Sequence, residues 1–429
     1  MKRGMRSVLL GVAGFGVLVG VAVWRARAWA DDTIERHSRE LDADLVALRA
    51  VPRTRPALLD PALPGNAYDV YAPAIAALTT SATGGGVGFT FPKPGRYLEV
   101  LDAHRVDLER WDEALQMACE APLPSALGGP PVPALAVQST LDAVTLQRSG
   151  VGEWLAAGRA EDALVAALRV IVLGADVRRA LGIHATSVGM SNEARGREML
   201  GIVLRDGAPS AVALARAARV LDGLQARRAS LGDRLLADAA FVRGARIAMA
   251  GGAEPSSRVR DPLRGWHWLW SQRIYWATAL DEGEALRKRT LVVYGRRAST
   301  WRGTCADVRA MFQSAEHPEL IAAGSFETWM FRTEALERMG ATLDRVALAV
   351  ARHAAEHADA PAALADLVPA YLPSIPVCPA SGEALRYSAS PLRVWSIGGD
   401  GKDDGGHAVP GGSDLDAGGD FVRDVAPRR

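Results

Sequence analysis

The sequence predicts a mainly α chain: an N-terminal transmembrane helix, an all-α helical domain and a small C-terminal α+β domain. Three observations carry this. Apolar residues recur at helical spacing over most of positions 96–348, and few runs alternate with period two. An unbroken apolar run, Val8 to Trp24, stands near the N-terminus between basic residues. Two short strand-like runs, Ala384–Ser388 and Leu392–Ile397, precede a tail of little but Gly and Asp. The expected boundaries are a membrane anchor at 1–30, a helical stalk and Pro/Gly-rich linker at 31–95, the helical domain at 96–330 and the C-terminal domain at 331–429.

Taken in order, residues 1–30 give the strongest signal. Lys2, Arg3 and Arg6 precede the apolar run, and Arg25 and Arg27 close it. A run of about 17 residues is just long enough to cross a bilayer core as a helix. More charge before it than after it favours an N-in orientation. Ala28-Trp29-Ala30 also fits a signal-peptide cleavage site, so a cleaved leader is the rival reading. Both readings export the rest of the chain.

Residues 31–50 read as a helical stalk, with Ile34, Leu41, Leu45 and Leu48 at helical spacing. Pro52, Pro56, Pro61 and Pro64 interrupt it, and Asn66–Leu78 resumes a helical pattern despite Pro73. Leu101, Leu108, Trp111 and Leu115 mark the next apolar stripe. A turn at Gly158 leads into a helix over Asp162–Arg179, and Ser210 is placed to cap the helix bearing Leu214, Leu221 and Leu224. Further helices are expected over Leu231–Met249, Trp266–Val293, Cys305–Phe312 and Thr333–Ala358. No repeat of 34 residues is evident.

Composition limits the function. An apolar share of 49% supports a sizeable core. Fifty basic against 49 acidic residues leave a net charge of +1, which argues against a nucleic-acid binder. The three cysteines, Cys119, Cys305 and Cys378, lie far apart and form no CxxC pair, so a zinc ribbon or thioredoxin-type site has no support.

Three motifs invite a chemical reading. Thr83–Gly88 is Gly-rich but lacks the Lys-Ser/Thr ending of a phosphate loop, and reads as a loop. Trp266, Trp268, Trp270 and Trp276 crowd one helix. Core packing is the default there, with membrane-interface or partner contact next, and a ligand-binding pocket in the helical domain third. His353, Glu356 and His357 match H-x-x-E-H, which puts two imidazoles on one helix face with a carboxylate between them. A membrane-tethered zinc hydrolase built on these residues is the alternative function. It needs a third ligand, and Glu383 is the only glutamate downstream.

The tail supplies the most specific pattern. Leu364-Ala365-Asp366-Leu367-Val368-Pro369, Tyr371-Leu372-Pro373, Pro376, Gly382 and Leu385-Arg386-Tyr387 follow the helix over Thr333–Ala358. Then come Val394–Ile397, Gly398-Gly399-Asp400-Gly401 and Gly419-Asp420-Phe421-Val422. This order resembles the globular half of the major pseudopilin of type II secretion systems, over Thr333 to Val425. The resemblance implies a calcium ion held by Asp400, Asp420 and the carbonyl of Ile397, with Asp414 and Asp416 as further ligands. Independently, hard oxygen donors on a Gly-rich loop suit Ca²⁺. Asp403 and Asp404 are expected to face solvent, with little effect when replaced.

The chain departs from that family elsewhere. Its N-terminal cleavage motif is absent from residues 1–30, and Cys378 replaces an aspartate. The expected function is therefore not that of a pilus subunit. It is a membrane-anchored, non-enzymatic protein of a bacterial inner membrane, spanning through residues 8–24 with its bulk extracytoplasmic. Its expected partner is an envelope protein, as a scaffold linked to a secretion or pilus-like apparatus.

Overall fold

The computed structural model describes residues 2–51, 53–80, 91–121, 137–180, 183–225, 231–250, 262–295, 307, 309–378, 382, 384–398, 401–408 and 419–425. The protein is mainly helical, with a small strand component. Thr83–Gly88, Cys305, Asp400, Asp414 and Asp416 lie outside the described residues.

The first helix, α1 (Lys2–Ala50), is continuous. At 1.5 Å per residue it is about 73 Å long. Residues 18–25 are exposed on every side, whereas from Ala30 one face is buried at Ala30, Ile34, His37, Leu41 and Leu48. That spacing keeps one stripe against two neighbours, α9 (Leu231–Ala250) and α10 (Pro262–Gly295). Ala30 and Ile34 pack with Ala250, Ala277 and Leu280, and Leu41, Leu48 and Val51 pack with Ala237 and Ala240. The segment expected as a stalk is thus one member of a three-helix bundle. Among the described residues no helix is long and apolar enough to cross a membrane. The side chains of residues 1–17, which hold over half of the apolar run, lie outside that description.

The main body begins with β1 (Thr54–Arg55), β2 (Leu63–Asn66) and α2 (Ala67–Thr80), which keeps Pro73 inside it. Next come α3 (Tyr97–Ala103), α4 (Arg105–Glu113) and β3 (Met117–Glu120). β3 is central, antiparallel to β1 and parallel to β2. Helices α5 (Val137–Ala156), α6 (Ala160–Arg178), α7 (Ile183–Asp206) and α8 (Ala211–Gln225) follow. Gly158, at φ +73°, makes the left-handed turn between α5 and α6. The Ser210 hydroxyl accepts the Ala213 N–H at 3.2 Å, as expected of a cap.

The α6–α7 contact is backbone to backbone. A methyl at Gly174 would lie 2.5 Å from the Glu193 nitrogen and 2.6 Å from the Gly189 oxygen. One at Gly196 would lie 2.7 Å from the Ile171 nitrogen. Glycine is required at this crossing because no side chain fits between the helices.

The 40-residue helix α11 (Pro318–His357) joins the two parts and runs unbroken through position 330. His317, just before it, bonds Thr278 of α10 at 2.9 Å and contacts Glu282. Its far half enters the main core at Met339, Leu343, Val346 and Val350. The chain closes with a 3₁₀ turn, Leu364–Leu367, and an antiparallel sheet β4-β5-β6: Arg386–Ala389, Leu392–Ser396 and Phe421–Asp424. One hydrophobic cluster extends from Leu59 to Val425, so the C-terminal sheet shares its core with α2 to α8.

Candidate functional site

The C-terminal loop between β5 and β6 carries the calcium expectation. Strand β5 alternates buried and half-buried residues, with Leu392, Val394 and Ser396 inward. Ile397 follows it, buried, and its carbonyl takes a long 3.4 Å bond from the Ser396 hydroxyl. The same hydroxyl lies 2.6 Å from the Cys378 sulfur, so Cys378 is a buried packing partner of β5. A turn follows, closed by the Gly401 N–H to the Gly398 carbonyl at 3.1 Å.

Asp420 is 1% exposed at the other end of the loop. Its Oδ2 accepts N–H groups from Asp404 at 3.0 Å and Gly406 at 2.8 Å. Its own N–H donates to the His407 carbonyl at 2.7 Å. Its Oδ1 is buried and has no hydrogen-bond partner among the described residues. Burial raises the Asp420 carboxyl above the ordinary range, and nearby Asp403 and Asp404 push it the same way, against the two N–H bonds. A buried carboxylate oxygen with an open lone pair is what a hard cation needs. Asp420 is the one expected side-chain ligand that lies within the described residues. Ile397 lies at the start of the same loop, while Asp400, Asp414 and Asp416 lie outside the described residues. Among the described residues no group of three or more His, Cys, Asp or Glu side chains converges on a metal position.

Asp403 and Asp404 face solvent, as expected, and Asp403 is also bonded. Although exposed, it accepts Trp395 Nε1–H at 3.0 Å and the Gly405 N–H at 3.1 Å, and pairs with Arg386. These bonds, the one from Trp395 foremost, hold its carboxyl below the ordinary range. Arg393 donates to the Gly406 carbonyl at 2.6 Å, and Gly406 sits at φ +77° close against Trp395. Residues 401–408 are thereby folded onto β5.

The H-x-x-E-H residues are committed elsewhere. Tyr371 donates to Glu356 at 2.7 Å, Arg352 donates to it at 2.8 Å, and these bonds lower its carboxyl. His357 Nε2 bonds the Tyr371 oxygen at 3.1 Å, and His353 Nδ1 bonds the Asp359 carbonyl at 3.2 Å. The motif ties the end of α11, where Ala358 turns left-handed at φ 63°, to the following segment. The third reading rests on Trp266, Trp268 and Trp270, whose side chains lie outside the described residues. Trp276 packs beside the buried cluster of Ala30 and Leu280.

Two buried polar clusters were not foreseen. In the first, Arg55 and Asp176, both fully buried, pair at 2.6 and 2.5 Å, and Tyr71 donates to Asp176 at 2.5 Å. Burial pushes the Cys119 thiol and the Tyr71 hydroxyl well up, which disfavours the thiolate and phenolate forms. The second joins α6, α7, α11 and β6. Arg178 meets Glu193 and Glu337 at 2.6 Å and Glu334 at 3.4 Å. Arg197 meets Glu193 and Asp344 at 2.7 Å, and Arg423 meets Asp344 at 2.6 Å. Arg338 also pairs with Glu334, at 2.8 Å. This network locks the last strand to the helical body. The H-x-x-E-H cluster, the first buried pair and this network are all engaged internally, which leaves Asp420 Oδ1 as the better candidate for a ligand.

Comparison of the chain with protein-family models, with curated proteins and with solved structures found no match.

Proposed function

We propose that the protein is a non-enzymatic, membrane-anchored protein of a bacterial inner membrane, with its bulk extracytoplasmic. It acts as a scaffold for an envelope partner, and calcium stabilises its C-terminal domain. The observation that carries the anchor is the change of surroundings along α1. Leu18, Val19, Val21, Val23 and Trp24 are 38–69% exposed on all sides of the helix, while farther along Ala30, Ile34, Leu41 and Leu48 are covered by α9 and α10 and Val46 is a single exposed apolar residue on the outer face. An apolar helix segment uncovered by protein calls for an apolar phase, and a lipid bilayer supplies one. The helix then continues without a break into the bundle, so the anchor is rigidly coupled to it.

The pseudopilin-like reading draws support from a long helix followed by a three-stranded antiparallel sheet and a Gly/Asp loop, and from the unpartnered Asp420 oxygen. It directs the search for a partner to secretion or pilus-like machinery. Reporter fusions after Leu78 test the topology. A periplasm-dependent reporter should be active there, and activity of a cytoplasm-dependent reporter at that position overturns the proposal. The calcium part is tested on the full chain: the thermal midpoint should rise in calcium relative to chelator, and coincident curves would remove it.

A further inference from the structure

We infer that the N-terminal end of α10 is a second membrane-contacting element, and that what it contacts is the phospholipid headgroup layer on the side where α1 emerges. This rests on the anchor reading above. Helices α1 and α10 are parallel: Asp31 meets Arg273 at 2.7 Å, and farther along both helices His37 meets Asp281 at 3.0 Å. From Arg273 the backbone of α10 continues back to Pro262 as unbroken helix. With the same rise per residue in both helices, positions 266–270 of α10 stand level with positions 24–28 of α1.

That level is where the apolar run of α1 ends. Trp24 is 67% exposed and Trp29 is 41% exposed, and Arg25 and Arg27 beside them are exposed. The facing stretch of α10 reads Arg264-Gly265-Trp266-His267-Trp268-Leu269-Trp270, with Arg273 just beyond. Farther along α10 the bundle's apolar packing takes Ile274, Trp276, Ala277 and Leu280. The two helices therefore bring Trp24, Trp29, Trp266, Trp268 and Trp270 to one height, with arginines at the same height. Indole rings favour the headgroup level, where the ring is in an apolar setting and the N–H is wet, and guanidinium groups pair with lipid phosphates. The juxtaposition makes a two-helix footing that would set the bundle upright on the membrane.

The test uses the full-length protein in proteoliposomes of phosphatidylethanolamine and phosphatidylglycerol, doped with a phospholipid carrying a photoactivatable group near its headgroup. After irradiation, adducts are mapped by mass spectrometry. Adducts are expected in 18–29 and in 262–272. The yield in 262–272 should stand about tenfold above that in 276–290, which lies farther out than the headgroup layer. Adducts in 18–29 with none above the 276–290 level in 262–272 would overturn this inference and leave the anchor standing. Absence of adducts from both segments would overturn the anchor as well.

Discussion

Asp420 and the α6–α7 glycines show single residues deciding local structure by opposite means. In Asp420 the decisive fact is a surplus: a buried carboxylate oxygen without a donor among the described residues, beside Asp403 and Asp404. Because its folded-state carboxyl is raised, the fold without a cation favours the neutral acid, and stability falls as pH rises through that value. Asp420→Asn removes the charge and keeps the shape. It should hold or raise the thermal midpoint in chelator and abolish the calcium-dependent rise. At a hundredfold excess over Kd that rise corresponds to about 2.7 kcal/mol. A variant that keeps the full calcium response would exclude Asp420 as a ligand. In Gly189 the decisive fact is a lack of room, since its carbonyl already lies against the Gly174 position. Gly189→Ala should destabilise by roughly 2–4 kcal/mol in urea unfolding, although alanine is the better helix former by about 1 kcal/mol. A neutral or stabilising result would mean that the helices can move apart freely.

Elements are held to one another here by charge as much as by apolar contact. In the bundle, Glu284 of α10 meets Arg243 of α9 at 2.5 Å and Arg287 at 2.7 Å, and Arg243 also reaches Asp44 of α1. Burial alone would raise the Glu284 carboxyl, but the bonds from Arg287 and Arg243 outweigh it and bring it down to about 2. A depressed folded value contributes stability above the unfolded carboxyl range near 4.3, lost as pH falls toward 2. Glu284→Gln should therefore cost about 1–3 kcal/mol at neutral pH. The gap between variant and wild type, measured by urea unfolding, should close as pH drops from about 5 to 2. A gap that stays constant over that window would show that the pair is not electrostatic in origin.

Across the whole molecule, the buried network is the joint between the helical body and the C-terminal sheet. Asp344, fully buried on α11, is shared by Arg197 of α7 and Arg423 of β6. Removing it takes a carboxylate from two guanidiniums at once. Asp344→Ala should destabilise by about 3–5 kcal/mol. Amide exchange in β6 should speed up before exchange in α6 and α7, because the sheet loses its charged tie first. Equal acceleration throughout would instead indicate one cooperative unit with no separate joint. The shared cluster from Leu59 to Val425 also implies that the calcium response is best read on the full chain, since a C-terminal fragment would expose much of that core.

Most helices were legible because their buried faces are apolar and periodic: α2, α6, α8, α9 and α10 follow their stripes to within a few residues. Strand β5 alternates buried and half-buried residues at period two, and β4 was read as a short strand-like run beside it. Helix α7 was not, because its contact face is Gly189, Glu193, Gly196 and Arg197, residues that lower helix propensity or read as solvent-facing. Strand β6 was hidden because four half-buried residues after a Gly/Asp segment carry no alternation of their own, and only pairing with β5 makes them a strand. At the candidate site, the acidic loop was visible in the sequence and so was Asp420 within it. That Asp420 is turned inward, while Asp403 is spent on Trp395 and Arg386, depends on which side chains meet after folding. The sequence by itself determined the helical class, the apolar N-terminal run and the Gly/Asp loop, because composition and period act locally. Tertiary structure alone decided the partners of the buried charges, because a carboxylate and a guanidinium far apart in the chain leave no local pattern until packing brings them together and excludes water.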